Sequence, residues 1–287
     1  MKVLFVKSWI HNKNLNFILK CKKINFVIVD TVDRIDDVDL DTFDAVISPS
    51  DAIDVSKYPN TKFIFGPHFS VFPENNLLMI KGKKTVYNLL SNWVINIWKN
   101  FPICNDLNLV ALPFGVDTDK FVNNRTTIEK NKVMVYFKHR NPDELYFIEE
   151  FLQYKNIDYS IFSYGKRYDE NEYINYLQDT KYCIWIDAHE SQGFALQEAL
   201  SCNVPLLVWN VTSMDQEYRS TYSYLPATTI PYWDNTCGEI FYNVYDFEET
   251  YNKFMGNIES YKPREFILNN LSIEVCENKL IEFINNM

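Results

Sequence analysis

Two glutamates, Glu190 and Glu198, stand eight positions apart in the stretch HESQGFALQEALSCNVPLLVWN, with Gly193 between them. Gly193 falls between an apolar run that reads as a strand, 182–187, and one that reads as a helix, 194–202. A glycine at such a turn lets the backbone come close to a ligand. The first amides of the helix lack intrahelical acceptors and carry the positive end of its dipole. That makes an anion site, suited to phosphate. A carboxylate on either side can accept hydrogen bonds from vicinal hydroxyls, which sugars and ribose supply. A phosphate site flanked by hydroxyl-reading carboxylates matches the chemistry of a nucleotide sugar. The pair by itself is a weak signal, because acidic residues favour helix N-termini whatever they bind.

Such residues need a sheet to hold them. In the first 115 residues, short apolar runs at 2–9, 25–30, 44–50, 62–68, 76–82 and 107–113 read as strands. Most are continuous rather than alternating, the pattern of strands covered on both faces. The segment 85–100 has apolar residues at helical spacing. The connections 10–24 and 31–43 are short for full crossover helices, so this half reads as a reduced version of its fold. An Asn-rich linker follows within 112–132. Beyond it, strands at 132–138, 159–165, 182–187 and 204–210 alternate with helical runs at 143–155, 169–179 and 194–202, and the tail from Asp246 reads as two or three helices. This spacing predicts an α/β chain built from βαβ units. Ligands of such sheets bind outside the carboxyl ends of the strands.

Composition narrows the class. Hydrophobic residues at 47% and charged residues at 23% describe a folded globular chain. A net charge of −10 argues against nucleic acid as the main partner. Membrane spanning by a helix is not expected, since no apolar run reaches the ~18 residues required. The apolar run at the N-terminus is too short for a signal peptide and reads as a first strand. The six cysteines, at 21, 104, 183, 202, 237 and 276, form no close pair. They read as reduced core thiols of a cytoplasmic protein, with no metal site.

The stretch 189–210 resembles the signature of the retaining glycosyltransferases of the GT-B fold (group 1, family 4), with two glutamates separated by seven residues around a glycine turn. The segment LPFGVDTDKF, 112–121, is similar to the Gly-Val-Asp passage where those enzymes enter their C-terminal domain. The resemblance covers 112–225 well, and the N-terminal half only in its strand pattern. It implies a GT-B-like architecture of two Rossmann-like domains with a cleft between them. Residues 1–115 would be a reduced acceptor-side domain, and 116–287 a nucleotide-sugar-binding domain ending in the C-terminal helices. The resemblance also implies roles. Glu190 would meet the donor sugar hydroxyls and Glu198 the ribose. The amides of Gly193, Phe194 and Ala195 would face the phosphates. Lys138 and Arg140, at the end of the strand 132–138, would neutralise the diphosphate of a UDP- or GDP-sugar. Such a clamp stabilises the leaving group without a metal. No further cofactor is implied.

These and other groups also have structural readings. Lys138 and Arg140 could be surface charges, as could Lys166 and Arg167 at the next strand end. His68 follows an N-terminal strand and could contact donor or acceptor, or move a proton. A structural histidine fits it as well. His189 reads as structural, and Trp233 is the tryptophan placed in a polar loop. The glycine-rich loop usual after the family's first strand is replaced by VKSWIHNKN, which puts the acceptor site in question. The expected activity is transfer of a sugar from a nucleotide-diphosphate sugar to a hydroxyl of a glycan or small molecule, with retention. The alternatives are an inverting transferase with His68 or a carboxylate as base, a silent nucleotide-sugar-binding scaffold, and, against the charge, a transferase acting on DNA.

Overall fold

Four of the five residues of β1 (Lys2–Val6) are buried, as a central strand covered on both faces requires. The computed structural model describes every residue except Asn124, Arg167 and Tyr168, and the backbone alone of Lys166. After β1 come α1 (Asn12–Lys20), β2 (Asn25–Val29), β3 (Ala45–Ser48), β4 (Phe63–Phe65), β5 (Thr85–Asn88), α2 (Asn92–Trp98) and β6 (Leu109–Val110). Their strands form one parallel sheet in the order β2-β1-β3-β4-β5-β6.

Two expectations fail in this half. The run 76–82 is a 3-10 helix, Asn75–Ile80, with Leu77 and Ile80 buried three residues apart. The segment 85–100 is a strand before it is a helix. Thr85–Asn88 is buried throughout and pairs with β4, and the helix covers Asn92–Trp98. A short apolar run fits either element, and pairing in the sheet decides between them. The connection 10–24 does carry a helix, α1, while 31–43 is bridged by two 3-10 turns.

The second unit runs through β7 (Lys132–Lys138), α3 (Pro142–Tyr154), β8 (Tyr159–Ser163), α4 (Glu170–Asp179), β9 (Thr180–Asp187), α5 (Phe194–Ser201), β10 (Leu206–Trp209), β11 (Gly238–Phe241), α6 (Val244–Gly256) and α7 (Pro263–Asn270). Its sheet is also parallel, in the order β11-β10-β9-β7-β8. Alternate residues Val133, Val135, Tyr182, Ile184 and Ile186 pack with Ile148, Leu152, Phe247 and Phe254 of α3 and α6 in one core. Asn141, Asp169 and Asn243 cap α3, α4 and α6 through their side chains. Such caps satisfy backbone amides left over at the first turn. The predicted elements of this half agree closely with those found, apart from β11.

The last helix, α8 (Ile273–Asn286), was expected in the second half by sequence order. It packs in the first unit, which comprises 1–117 and 271–287, while 118–270 forms the second. Glu277 of α8 is buried and accepts the amides of Lys23 at 2.6 Å and Ile24 at 2.9 Å. Val116 donates to the Leu271 carbonyl at 2.8 Å. The Gly-Val-Asp passage serves this contact, since a Cβ on Gly115 would stand 2.4 Å from the Ile273 Cα. Asp117 takes an ion pair from Lys20. No helix among the described residues is long and apolar enough to cross a membrane.

Candidate functional site

Numbered within the second unit, the strand order is 2-1-3-4-5, so the direction of winding reverses between β7 and β9. Open parallel sheets bind ligands at such a switch point, outside the carboxyl ends of its strands. Lys138 ends β7 and Asp187 ends β9, and the two are register partners. The chain then turns, and Glu190 comes back onto Lys138. The Lys138 ammonium pairs with Glu190 Oε1 and stands 3.8 Å from Asp187 Oδ2. Burial opposes the charge on Lys138, but the carboxylates of Asp187 and Glu190 outweigh it and raise its pKa. Burial raises Asp187 well above the usual carboxylate range, with Lys138 opposing and Glu190 adding to the rise.

The loop carrying Glu190 is braced from 228–229. The Glu190 amide donates to the Thr228 carbonyl at 3.1 Å, and Thr229 Oγ1 donates to the Asp187 carbonyl at 3.2 Å. Gly193 follows with φ 82 and ψ 54 and starts α5 with no side-chain cap. A Cβ there would meet nothing closer than 3.7 Å, so the left-handed backbone, not crowding, calls for glycine. The nearest of those atoms is Glu190 Cβ, which places the stem of this side chain beside the start of α5. Phe194 and Ala195 are half-buried in the first turn. Glu198 lies in the second turn at 4% exposure.

Arg140 does not join Lys138. It is 2% exposed, and its guanidinium donates to the carbonyls of Asp187 at 3.2 Å and Trp209 at 3.1 Å, and to Glu144 at 2.5 Å. The guanidinium carbon also lies 5.4 Å from the Trp209 ring centre. These bonds tie the ends of β9 and β10 to α3, and they replace the expected diphosphate role with a structural one. His139, between the two cations, has φ 52, which sends the neighbouring side chains in different directions. Of the next basic pair, Arg167 lies outside the described residues, as does the side chain of Lys166.

Sequence reasoning missed the remaining lining. Tyr164, after β8, has its ring centre 5.0 Å from the Lys138 ammonium. Glu217 reaches His139 Nδ1 at 3.4 Å and His189 Nδ1 at 3.6 Å. Burial lowers the His189 pKa. Asp187 was legible as the residue ending a buried strand, but no spacing tied it to Lys138. Trp233 is half-buried in its loop. Among the described residues, no group of three or more His, Cys, Asp or Glu is arranged to hold a metal ion.

His68 belongs to the first unit, where it gathers with other residues at the corresponding end of that sheet. Its ring meets Trp9 edge-on at 4.7 Å, and the Asn14 amide nitrogen is 3.0 Å from Nε2. Its backbone amide donates to Pro49 at 2.8 Å, and the Trp9 amide donates to Ser50 Oγ at 3.1 Å. Burial, with His11 adding to it, lowers its pKa to about 4, so the ring is neutral near pH 7.

No family model and no curated protein matches the chain. Among solved structures it is similar to the crystal structure of WaaG, a glycosyltransferase involved in lipopolysaccharide biosynthesis. That likeness has 10% identity and a TM-score of 0.45, over 99% of each chain. At that identity and score it carries nothing about chemistry, which rests on this chain's own geometry.

Proposed function

We propose that the chain is a glycosyltransferase that takes a nucleotide-diphosphate sugar at the switch point of its second unit and transfers the sugar to a hydroxyl. One observation carries this reading: the Lys138 ammonium pairs with Glu190, whose side chain lies beside the left-handed glycine that starts α5 without a side-chain cap. An incoming diphosphate would take Lys138 as its cation and the amides of Gly193, Phe194 and Ala195 as donors. Glu190 would turn to the donor sugar hydroxyls, and Glu198 would accept from the ribose. As the anomeric C–O bond breaks, its electron pair passes to the diphosphate oxygen. Lys138 and the helix dipole then stabilise that charge where it develops. In attack from the same face, the acceptor hydroxyl passes its proton to the departing phosphate oxygen, and the configuration is retained. The resemblance of 189–210 to retaining GT-B transferases supports the same assignment.

The test is calorimetry of UDP and GDP against the wild type and Lys138→Met, followed by NMR of the product's anomeric configuration. Binding that is unaffected by Lys138→Met would remove the site from the nucleotide. An inverted product would overturn retention. A second reading, nucleotide-sugar binding without transfer, is favoured by one observation: VKSWIHNKN stands where the family has a glycine-rich loop after its first strand. Tight UDP-sugar binding with neither hydrolysis nor transfer to any acceptor would establish it.

A further inference from the structure

Asp187 ends β9 at 2% exposure, with Oδ1 accepting from the Ala188 amide at 2.7 Å and Oδ2 facing Lys138 at 3.8 Å. Glu190 Oε1 meets the same ammonium, so the two carboxyls share one cation. Two ionised carboxylates against one ammonium leave a negative charge uncompensated, and a proton on one of them removes it. We propose that Asp187 is a positioning residue of this site: it holds one proton in common with Glu190, so that the Lys138 ammonium rests against a single shared negative charge.

The surroundings agree. Lys138 faces the two carboxyls from the end of β7, with Tyr164 over its ammonium from the end of β8. His189 stands in the pair's own loop, with Glu217 between it and His139. Arg140 reaches Asp187 at its main-chain carbonyl, not its carboxyl. One ammonium faces two carboxyls, that of Glu190 half-buried and that of Asp187 buried, and burial disfavours an uncompensated charge on Asp187. Burial accordingly raises Asp187 well above the usual range. Such a pair titrates as a unit. With its proton, the trio of Lys138, Asp187 and Glu190 is neutral; without it, the trio carries one negative charge. An anion meets less repulsion below the pair's titration than above it. That consequence rests on the nucleotide-sugar reading above, and the shared proton does not.

Carboxyl-carbon NMR of the full chain labelled in aspartate reads the proton directly, with the Asp187 signal assigned by its loss in Asp187→Asn or Asp187→Glu. Asp187 should titrate well above the ordinary aspartate range, and lower in Glu190→Gln, where Lys138 still favours its ionised form. A signal in the ordinary range, or one unmoved by Glu190→Gln, overturns the proposal. A calorimetric pH series with UDP is the second readout. As pH rises through the pair's titration, affinity should fall by up to about tenfold per pH unit, the slope of one linked proton, and Asp187→Asn should abolish that slope. An equal loss at every pH in Asp187→Asn would make Asp187 merely structural and overturn the proposal. If the NMR titration holds and UDP does not bind at any pH, the shared proton stands and the nucleotide-sugar reading fails.

Discussion

Lys138 and Asp187 are register partners on the two adjacent strands where the winding of the second sheet reverses, and the loop after Asp187 returns Glu190 to the same ammonium. The site is therefore held by sheet pairing at its base and by one ion pair at its mouth. Each part has a separable consequence.

Replacing Lys138 by methionine keeps an unbranched apolar stem and removes the charge. UDP affinity should fall by about 1.5–3 kcal/mol, the range for a hydrogen bond to a charged group. Titration calorimetry at constant ionic strength measures it.

Arg140→Ala should act on stability instead. The change removes donors from two strand-end carbonyls and leaves them buried. A loss of about 3 kcal/mol is expected in urea unfolding. The affinity of the folded fraction for UDP should stay within about twofold, since the guanidinium faces the protein interior. Reduced affinity with unchanged stability would return Arg140 to the ligand.

Gly193→Ala tests the turn. Space is available for the methyl group, so the cost is that of a left-handed backbone, about 1–2 kcal/mol. If the turn relaxes to avoid that cost, the first amides of α5 are re-aimed. Nucleoside-diphosphate binding should then weaken more than stability does, which paired calorimetry and unfolding experiments would show.

Glu198 combines burial with a proposed ribose contact. Glu198→Ala should lose both stability and nucleotide affinity, the latter by about 1–3 kcal/mol. Glu198→Gln should restore most of the stability. Affinity for UDP matching the wild type in a folded Glu198→Gln and in Glu198→Ala would end the ribose assignment.

His68 makes the stability of the chain depend on pH. Its folded pKa of about 4 lies below the ordinary 6.5, so the unfolded chain binds more protons between these values. The contribution is fully present above about pH 6.5 and is lost as pH falls through 4, up to roughly 3 kcal/mol if no other group compensates. The urea midpoint should drop over that window, and the drop should be smaller in His68→Gln. An identical pH profile in that variant would show that the burial of His68 is not the cause.

The elements of the second unit were legible because their signals are local. Apolar runs of strand length, capping residues such as Asn141 and Asp169, and a glycine at a strand-to-helix turn state their element within a few residues. Where local signals conflict, as in Thr85–Asn88, pairing with β4 makes the decision. The same holds for the C-terminal helix, whose partners Lys23 and Ile24 lie some 250 residues away in the chain.

Sequence alone determined that two glutamates flank a glycine strand-to-helix turn at 190–198, and that Lys138 ends a strand of the same sheet. It could not separate Lys138 from Arg140, two cations two residues apart. Tertiary structure separated them, because the left-handed His139 and the register of β7 with β9 send one into the site and the other under it. It also brought in Asp187, whose role depends on what stands opposite it in the sheet. Hydrogen-bond partners across a sheet are fixed by strand order and register, and neither is written in the spacing of residues along one strand.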